Sequence, residues 1–545
     1  MTTGTRPAMG RSAHLDTFCR DNLPPEDSWP DMVFDLPELR YPERLNCAVE
    51  LVDAVIGRLG PDRPCLLTPD GETWTYDQVH ATVNRIANVL AGRFGIVPGN
   101  RVLLRGPNTP WLVACWLAVL RAGAVAVATM PLLRAGEISA IAGIAHVDIA
   151  LCDARFVDDL AAAELNGAPI VTFGDDGDTD LVAMARTAHD EFAAIDTSPD
   201  DVALLAFTSG TTGRPKATMH FHRDLLAVTD TFSRHVVRPV PDDVFTGTPP
   251  IAFTFGLGGL VLFPLRVGAA TLLIEKASPE ELADVIDRNH VTVCFTAPTA
   301  YRAMLRSGRA ASLRTLRRAI SAGEHLPEET WQACYAATGL RLIDGIGSTE
   351  MLHVFVSAAD DEILPGATGK AVPGYQAQVV DDTGRPVPPG TPGKLAVRGP
   401  TGCRYLADPR QSVYVRDGWN LTGDTFVQDA NGYLHYLARD DDMIVSSGYN
   451  IAGPEVEEVL ATHPAVAECC VVGVPDTERG QLVKAFVVLA DDAVGDPALV
   501  ADLQAFTKQR LAPYKYPRAV EFVTELPRSA TGKLQRQVLR ARHSI

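Results

Sequence analysis

Short apolar runs rich in Val, Ile, Leu and Ala recur between residues 101 and 343: VLLRG, VDIALC, PIVTF, VALLAF, ATLLI, VTVCF and LRLID. Stretches with helical spacing of apolar positions lie between them. Strands that are apolar on both faces and alternate with helices predict parallel sheets covered by helices on both sides. Residues 111–133 are apolar enough to suggest a membrane span, but Arg121 sits in the middle and Gly123 follows. The segment is predicted to be a buried helix, WLVACWLAVLRAG, and then a buried strand, AVAVATM.

The pattern changes further on. Residues 381–393, DDTGRPVPPGTPG, precede KLAVRG and read as a hairpin turn, so antiparallel sheet follows the parallel part. After Tyr436 a charged, small-residue stretch, LARDDDMIVSSGYNI, leads into a fresh pattern of helix (PEVEEVLATH), strands and helix. The expected fold class is α/β: a large N-terminal domain of helix-covered sheets with a β-rich extension over residues 1–438, and a small α+β C-terminal domain over 443–545. A length of 545 residues agrees with this, since it exceeds what one core usually supports.

Composition narrows the function. Apolar residues at 46% and charged residues at 21% describe an ordinary folded chain, and a net charge of −18 argues against a nucleic-acid partner, whose phosphates need a basic surface. Ten cysteines without CxxC spacing suggest reduced, buried thiols rather than a zinc site or disulfides. The opening residues lack the apolar core of a secretory signal and the terminal HSI is not a peroxisomal address, so a cytoplasmic protein without membrane attachment is expected. From residue 508 onward nine Lys/Arg face only Glu521 and Glu525. That excess is either a solvated terminal helix or an attraction for polyanions.

The strongest chemical signal is Thr208-Ser-Gly-Thr-Thr-Gly-Arg-Pro-Lys216. It follows VALLAF and precedes apolar positions at Phe221, Leu225, Val228, Phe232 and Val236, so a strand, loop and helix are predicted. Gly210 and Gly213 let backbone N–H groups approach an oxyanion, Thr208, Ser209, Thr211 and Thr212 add hydroxyl donors, and Lys216 adds charge. The GxxGxxK spacing with Ala217 after the lysine is not a Walker A loop.

This loop resembles the signature of the adenylate-forming superfamily of acyl-CoA synthetases, adenylation domains and luciferases, and further matches run from about residue 60 to 540. Ile346-Gly347-Ser348-Thr349-Glu350 resembles the family's Tyr-Gly-x-Thr-Glu segment. The resemblance implies that Thr349 faces the α-phosphate, that Glu350 helps hold Mg²⁺, and that Ile346 replaces the usual aromatic partner of adenine. Ser321-Ala322-Gly323-Glu324 is similar to the segment lining adenine on its other side. In Thr422-Gly423-Asp424 the aspartate corresponds to the acceptor for both ribose hydroxyls, and Arg439 to the arginine that also reaches the ribose. Asp441 falls at the family's hinge, implying a hinge at 439–442 about which the small domain rotates between two half-reactions. Ala438 replaces the glycine before that hinge motif, and Val445 stands where many relatives carry a lysine. Gly448 matches the glycine over which the pantetheine arm passes. Lys533, in PRSATGK, is similar to the terminal catalytic lysine that offsets the repulsion between carboxylate and α-phosphate.

The combination FTFGLGG, SAGEHLP and GIGSTEMLH resembles benzoate-type CoA ligases, and the N-terminal DNLPP and LPELRYPERLNC resemble 2-aminobenzoate relatives. Phe253 takes the place of the aromatic gate, Ala322 and Gly347 leave room for a ring, and His353 is placed either to hydrogen-bond a carboxylate or an ortho substituent or to fill the core. The resemblance implies an ATP-dependent aryl acid:CoA ligase of the AMP-forming type, with ATP, Mg²⁺ and coenzyme A, acting as a monomer or homodimer. Three alternatives stand beside it: an enzyme loading the aryl group onto an acyl carrier protein, a medium-chain acyl-CoA synthetase, and a non-catalytic homologue.

Overall fold

The structure, a computed structural model, describes residues 9–175, 177–209, 214–324, 326–439, 443–490, 493–527 and 536–541. Among these the chain forms four sheets. The first runs in the order Ile170–Phe173, Ile149–Asp153, Arg101–Arg105, Val125–Thr129, Val202–Ser209 and Pro215–Phe221. Its neighbours are parallel except the last pair, an antiparallel hairpin. In the second sheet Pro64–Leu67, Ala270–Leu272, Val244–Gly247, Val293–Thr296, Arg318–Ala322 and Leu342–Gly347 are parallel neighbours, and Thr73–Thr75, Val354–Ser357 and Lys370–Ala371 add antiparallel edges.

The helix Pro110–Arg121 shows why these sheets stay together. It is apolar all round, and every residue but Trp111 is buried, so it cannot sit at a surface. Pro110 occupies the first turn and the Thr109 hydroxyl accepts the Leu112 N–H, which starts the helix cleanly. Arg121 at its end pairs with Asp53 at 2.8 Å. No helix among the described residues is long and apolar enough to cross a membrane.

The predicted hairpin at 381–393 joins Gln376–Val380 to Gly393–Arg398, with Val380 opposite Lys394, inside an antiparallel third sheet that also holds Trp419–Gln428 and Leu434–Arg439. The small C-terminal domain has its own sheet, in which Val466–Asp476 and Gly480–Leu489 form the long central pair and Met443–Ser446 turns back into Tyr449–Ala452. It also has its own core around Ile444, Val456, Val471, Ala485 and Leu503. All ten cysteines are free and buried, as expected for reduced thiols.

One expectation is corrected. The segment after the glycine-rich loop is a strand, and the helix begins only at His222. In KATMHF, Ala217, Met219 and Phe221 join one apolar core while Lys216, Thr218 and His220 take the other face, a period of two that belongs to a strand. The strands on either side of the loop therefore pair antiparallel, with Ser209 opposite Pro215.

Candidate active site

The carboxyl ends of the parallel strands in the second sheet converge on one cleft, bringing Thr296, Ala322 and Gly347 to its wall. Open parallel sheets place ligands at this position. The cleft, of about 1130 Å³, runs between the two large sheets and under the C-terminal domain.

Its charged centre is built by alternation in the Pro215–Phe221 strand. Lys216 pairs with Glu350 at 3.0 Å, the Tyr405 hydroxyl donates to the same Glu350 Oε1 at 2.5 Å, and Lys216 Nζ also reaches the Tyr405 oxygen. Burial alone would push the Glu350 carboxyl up, but Lys216 and Tyr405 outweigh it and hold the group down at about 2, so it is ionised. Two residues along the strand, His220 Nε2 donates to the Thr349 carbonyl at 2.7 Å, and Asp224 lies 3.8 Å from its other ring nitrogen. Thr401 Oγ1 donates to the Met351 carbonyl at 2.7 Å, and Ser348 Oγ lies 3.1 Å from the Tyr414 hydroxyl. The Ser348–Met351 turn is thus gripped at four successive residues. Gly347 has to be glycine, because a Cβ there would stand 2.6 Å from the His353 carbonyl oxygen.

At the far end the cleft turns apolar. Phe253 stands at its side, in a loop pinned by Asn108, which donates to the Pro249 carbonyl at 3.1 Å and accepts the Ile251 N–H at 2.9 Å. His353 is buried among Phe232, Phe255, Phe263 and Phe295, with ring centroids 4.6–6.4 Å away. Burial pushes its imidazole down to about 3, against a smaller raising contribution from the Phe255 backbone, and so keeps it neutral, and neither ring nitrogen makes a well-formed hydrogen bond to a described residue. Phe232 and Gly258 both belong to stretches wound as π-helix, Thr229–Val237 and Gly258–Leu262. A Cβ on Gly258 would lie 2.3 Å from the imidazole, so the ring fits only against glycine.

Comparison with known proteins agrees with this geometry. Residues 56–405 match the AMP-binding enzyme family, and residues 455–533 match the AMP-binding enzyme C-terminal domain. The chain belongs to the AMP-binding, adenylate-forming family. It is 35% identical to a benzoate–CoA ligase of Thauera aromatica over 93% of this chain and 97% of that one, and 34% identical to a 3-hydroxybenzoate–CoA ligase of Aromatoleum sp. (strain CIB) over 91% and 96%. Among solved structures, the anthranilate CoA ligase AuaEII in complex with anthranoyl-AMP is similar with a TM-score of 0.72 and 32% identity, covering 93% of this chain and 99% of that one. The enzyme is an acid–thiol ligase of the AMP-forming type.

Most of the residues singled out from the sequence meet around this cleft. Thr208, Lys216, Ala322, Gly323, Gly347, Ser348, Thr349 and Glu350 line it, as do Phe253, His353, Asp424 and Gly448. Ile346 is half-buried against the main core. Asp424 is buried and pairs in register with Arg439 across the third sheet. Ser209 ends the strand before the loop, while Gly210, Thr211, Thr212 and Gly213, the hinge residue Asp441 and the lysine Lys533 lie outside the described residues. Glu324, expected to border the nucleotide, meets Thr299 and the Gly448 N–H, and burial pushes its carboxyl up to about 7. The basic tail is corrected in part, since Lys515 is buried and Arg536 bonds Glu457 at 2.9 Å through Nη2.

Sequence reasoning missed Tyr405, Tyr414 and His220. Reading KATMHF as a strand would have put His220 on the face of Lys216. Replacing His220 by Phe, which keeps the volume and removes the donor, is expected to slow adenylation roughly 10- to 100-fold, as loss of an orienting partner typically does. His220→Gln, which still donates, should restore most of the rate in a pyrophosphate-release assay; equal losses in the two variants would show that the ring only fills space.

Proposed function

We propose that this enzyme is an aryl acid:CoA ligase for benzoate-type acids, with preference for a ring carrying an ortho hydrogen-bonding group such as 2-aminobenzoate. The observation that carries this reading is the neutral His353 at the closed, phenylalanine-lined end of the cleft, next to the Glu350 and Lys216 pair. A flat ring fits among these side chains. The wall there is made by Phe253, Phe255 and His353, with Phe263 and Phe295 packed behind the imidazole, and a long alkyl chain would have to displace these rings. The neutral imidazole, whose only polar neighbour among the described residues is the Phe255 backbone, leaves a ring nitrogen to meet an amino or hydroxyl group beside the carboxylate. Similarity to the anthranilate CoA ligase and to the benzoate and hydroxybenzoate ligases supports the same acid class.

In this reading the acid carboxylate attacks the α-phosphorus of ATP, an O–P bond forms, and pyrophosphate leaves. The CoA thiol then attacks the carbonyl carbon and AMP departs. Thr349 and Lys216 contact the phosphates together with residues 208–213, and Asp424 accepts from the ribose with Arg439 beside it. Ala322, Gly323 and Ile346 border the base. Lys533 attends the first step, and rotation about Asp441, in a hinge at 439–442, brings Gly448 in for the second. Glu350 fits a divalent cation arriving with the nucleotide, since it is ionised and no cluster of three His, Cys, Asp or Glu side chains among the described residues could hold an ion alone. Mg²⁺ held there by Glu350 would supply positive charge to offset that of the phosphates.

The test is a panel of benzoate, 2-aminobenzoate, salicylate and medium-chain fatty acids, read as pyrophosphate release and CoA thioester formation. Aromatic acids are expected to lead. In His353→Phe the preference for 2-aminobenzoate over benzoate, as a ratio of kcat/KM, should fall about tenfold because the pocket loses its hydrogen-bonding group. Best activity on a fatty acid would overturn the aryl reading, and aryl-AMP that reaches only a phosphopantetheinylated carrier protein would overturn CoA as the acceptor.

A further inference from the structure

Among the described residues the C-terminal domain meets the N-terminal domain at several places, one of them the Arg302 guanidinium donating to the Thr477 carbonyl at 3.0 Å, and two others matter for the cleft. One is the turn between Met443–Ser446 and Tyr449–Ala452, whose Gly448 meets Glu324 beside the cleft. The other is a buried ion cluster. Lys515 Nζ lies 2.5 Å from Glu137 Oε1 and 2.7 Å from Glu455 Oε1, and the Ala512 N–H donates to Glu137 Oε2 at 3.0 Å. Lys515 is only 4% exposed. Glu137 belongs to the N-terminal helix Ala135–Ala145; Glu455, Ala512 and Lys515 belong to the C-terminal domain.

The two points are joined by stacked rings. Tyr514, next to Lys515, lies on Tyr449 with centroids 4.1 Å apart and planes 20° apart, and Tyr449 follows Gly448 directly. Tyr449 then meets Phe253 edge-on at 6.3 Å. From Glu137 to the Gly448 turn there is an unbroken path of short, rigid contacts.

We propose that Glu137 and Lys515 are positioning residues for the thioester-forming half-reaction, holding the C-terminal domain so that the Gly448 turn stands over the cleft. This rests on the two-step reading given above. A buried ion pair is a poor source of net stability, because desolvation offsets most of the attraction, but breaking one side of it is costly. Here each partner has a fallback. When the domain turns away, Lys515 keeps Glu455 as its counter-ion, and Glu137 keeps the Arg134 N–H that it accepts at 3.0 Å while its carboxylate returns to water. The contact can therefore open and close without leaving a bare charge buried, as a reversible clasp requires. Full ionisation of the cluster leaves one negative charge in excess, and burial accordingly pushes Glu455 up.

The test compares the whole enzyme with Glu137→Gln, which keeps an oxygen for the Ala512 N–H but loses the charge facing Lys515, and with Glu455→Gln, which spares the interdomain pair. Thioester formation from supplied aryl-AMP and CoA is expected to fall roughly 10- to 100-fold in Glu137→Gln, with pyrophosphate release without CoA within about twofold of the parent, a size typical of coupling between two arrangements. Glu455→Gln should keep thioester formation at the parent's rate and slow only pyrophosphate release, since it removes the counter-ion that Lys515 uses when the domain turns away. A second readout is independent of the acid: spin labels at exposed Tyr335 and Val494, one in each domain, should show the population of this domain arrangement falling in Glu137→Gln alone. An unchanged distance distribution, or equal loss of both half-reactions with a lowered unfolding temperature, would overturn the proposal. A parent enzyme that makes aryl-AMP but no aryl-CoA would sink the CoA reading instead, and the label distances would still decide the clasp.

Discussion

Glu350→Gln is expected to slow pyrophosphate release by roughly 10²–10³-fold, the loss usual when one preorganised charge is removed from a reacting phosphoryl group. Thioester formation from supplied aryl-AMP should stay within a few fold, because no phosphate is transferred in that step. The reason lies in how Glu350 is held. Its carboxylate sits between Lys216 at 3.0 Å and Tyr405 at 2.5 Å, so it is ionised and fixed before any nucleotide arrives. An amide keeps the shape but loses the charge, and leaves the Lys216 ammonium beside Tyr405 without its counter-ion. Single-turnover measurement of the two half-reactions checks this. Equal slowing of both would mean that Glu350 supports the cleft as a whole, and an unchanged adenylation rate would overturn its proposed part in holding the cation.

Arg404→Met is expected to destabilise the N-terminal domain by about 3–5 kcal/mol, because it strands the Asp224 carboxylate in a fully buried position. Both side chains are inaccessible to solvent, and Arg404 donates to Asp224 Oδ2 while lying over the Phe221 ring at 4.0 Å. Burial alone would push the Asp224 carboxyl up, but Arg404, His220 and Arg223 hold it below its ordinary value. A depressed carboxyl contributes stability above its unfolded value of about 3.9 and loses it as pH falls through the folded one. In the variant burial raises the group, so its folded state loses stability as pH rises above about 4. The gap between parent and variant should therefore widen from acid to neutral pH in the unfolding midpoint of the N-terminal domain. Arg404→Met with Asp224→Asn should recover most of the loss. A gap independent of pH, or no recovery in the double variant, would show that lost packing around the guanidinium, not the stranded charge, causes the effect.

The legibility of this site followed periodicity and adjacency. Parallel strands announced themselves as apolar runs because both faces are buried, and the helix Pro110–Arg121 did so because it is apolar all round. The cleft residues that stand next to one another in short motifs, such as Gly347, Ser348, Thr349 and Glu350, were readable for the same reason. KATMHF was misread because its apolar residues also suit the start of the helix that follows. The edge strand was decided by pairing, with Leu205 opposite Met219 and Thr208 opposite Lys216. Tyr405 carries no motif, and its place beside Glu350 depends on a bridge between Thr218 and Tyr405, residues far apart in the chain.

By itself the sequence determined the class of fold, the division into a large and a small domain, and the chemistry of adenylate formation, because each depends on local patterns that survive in one dimension. Only the tertiary structure decided which charges meet. Lys216 with Glu350, His220 with the Thr349 carbonyl, Arg404 with Asp224, and Lys515 with Glu137 are all pairs distant in sequence. Their attraction has force only where folding has excluded water, and no spacing along the chain records where that will be.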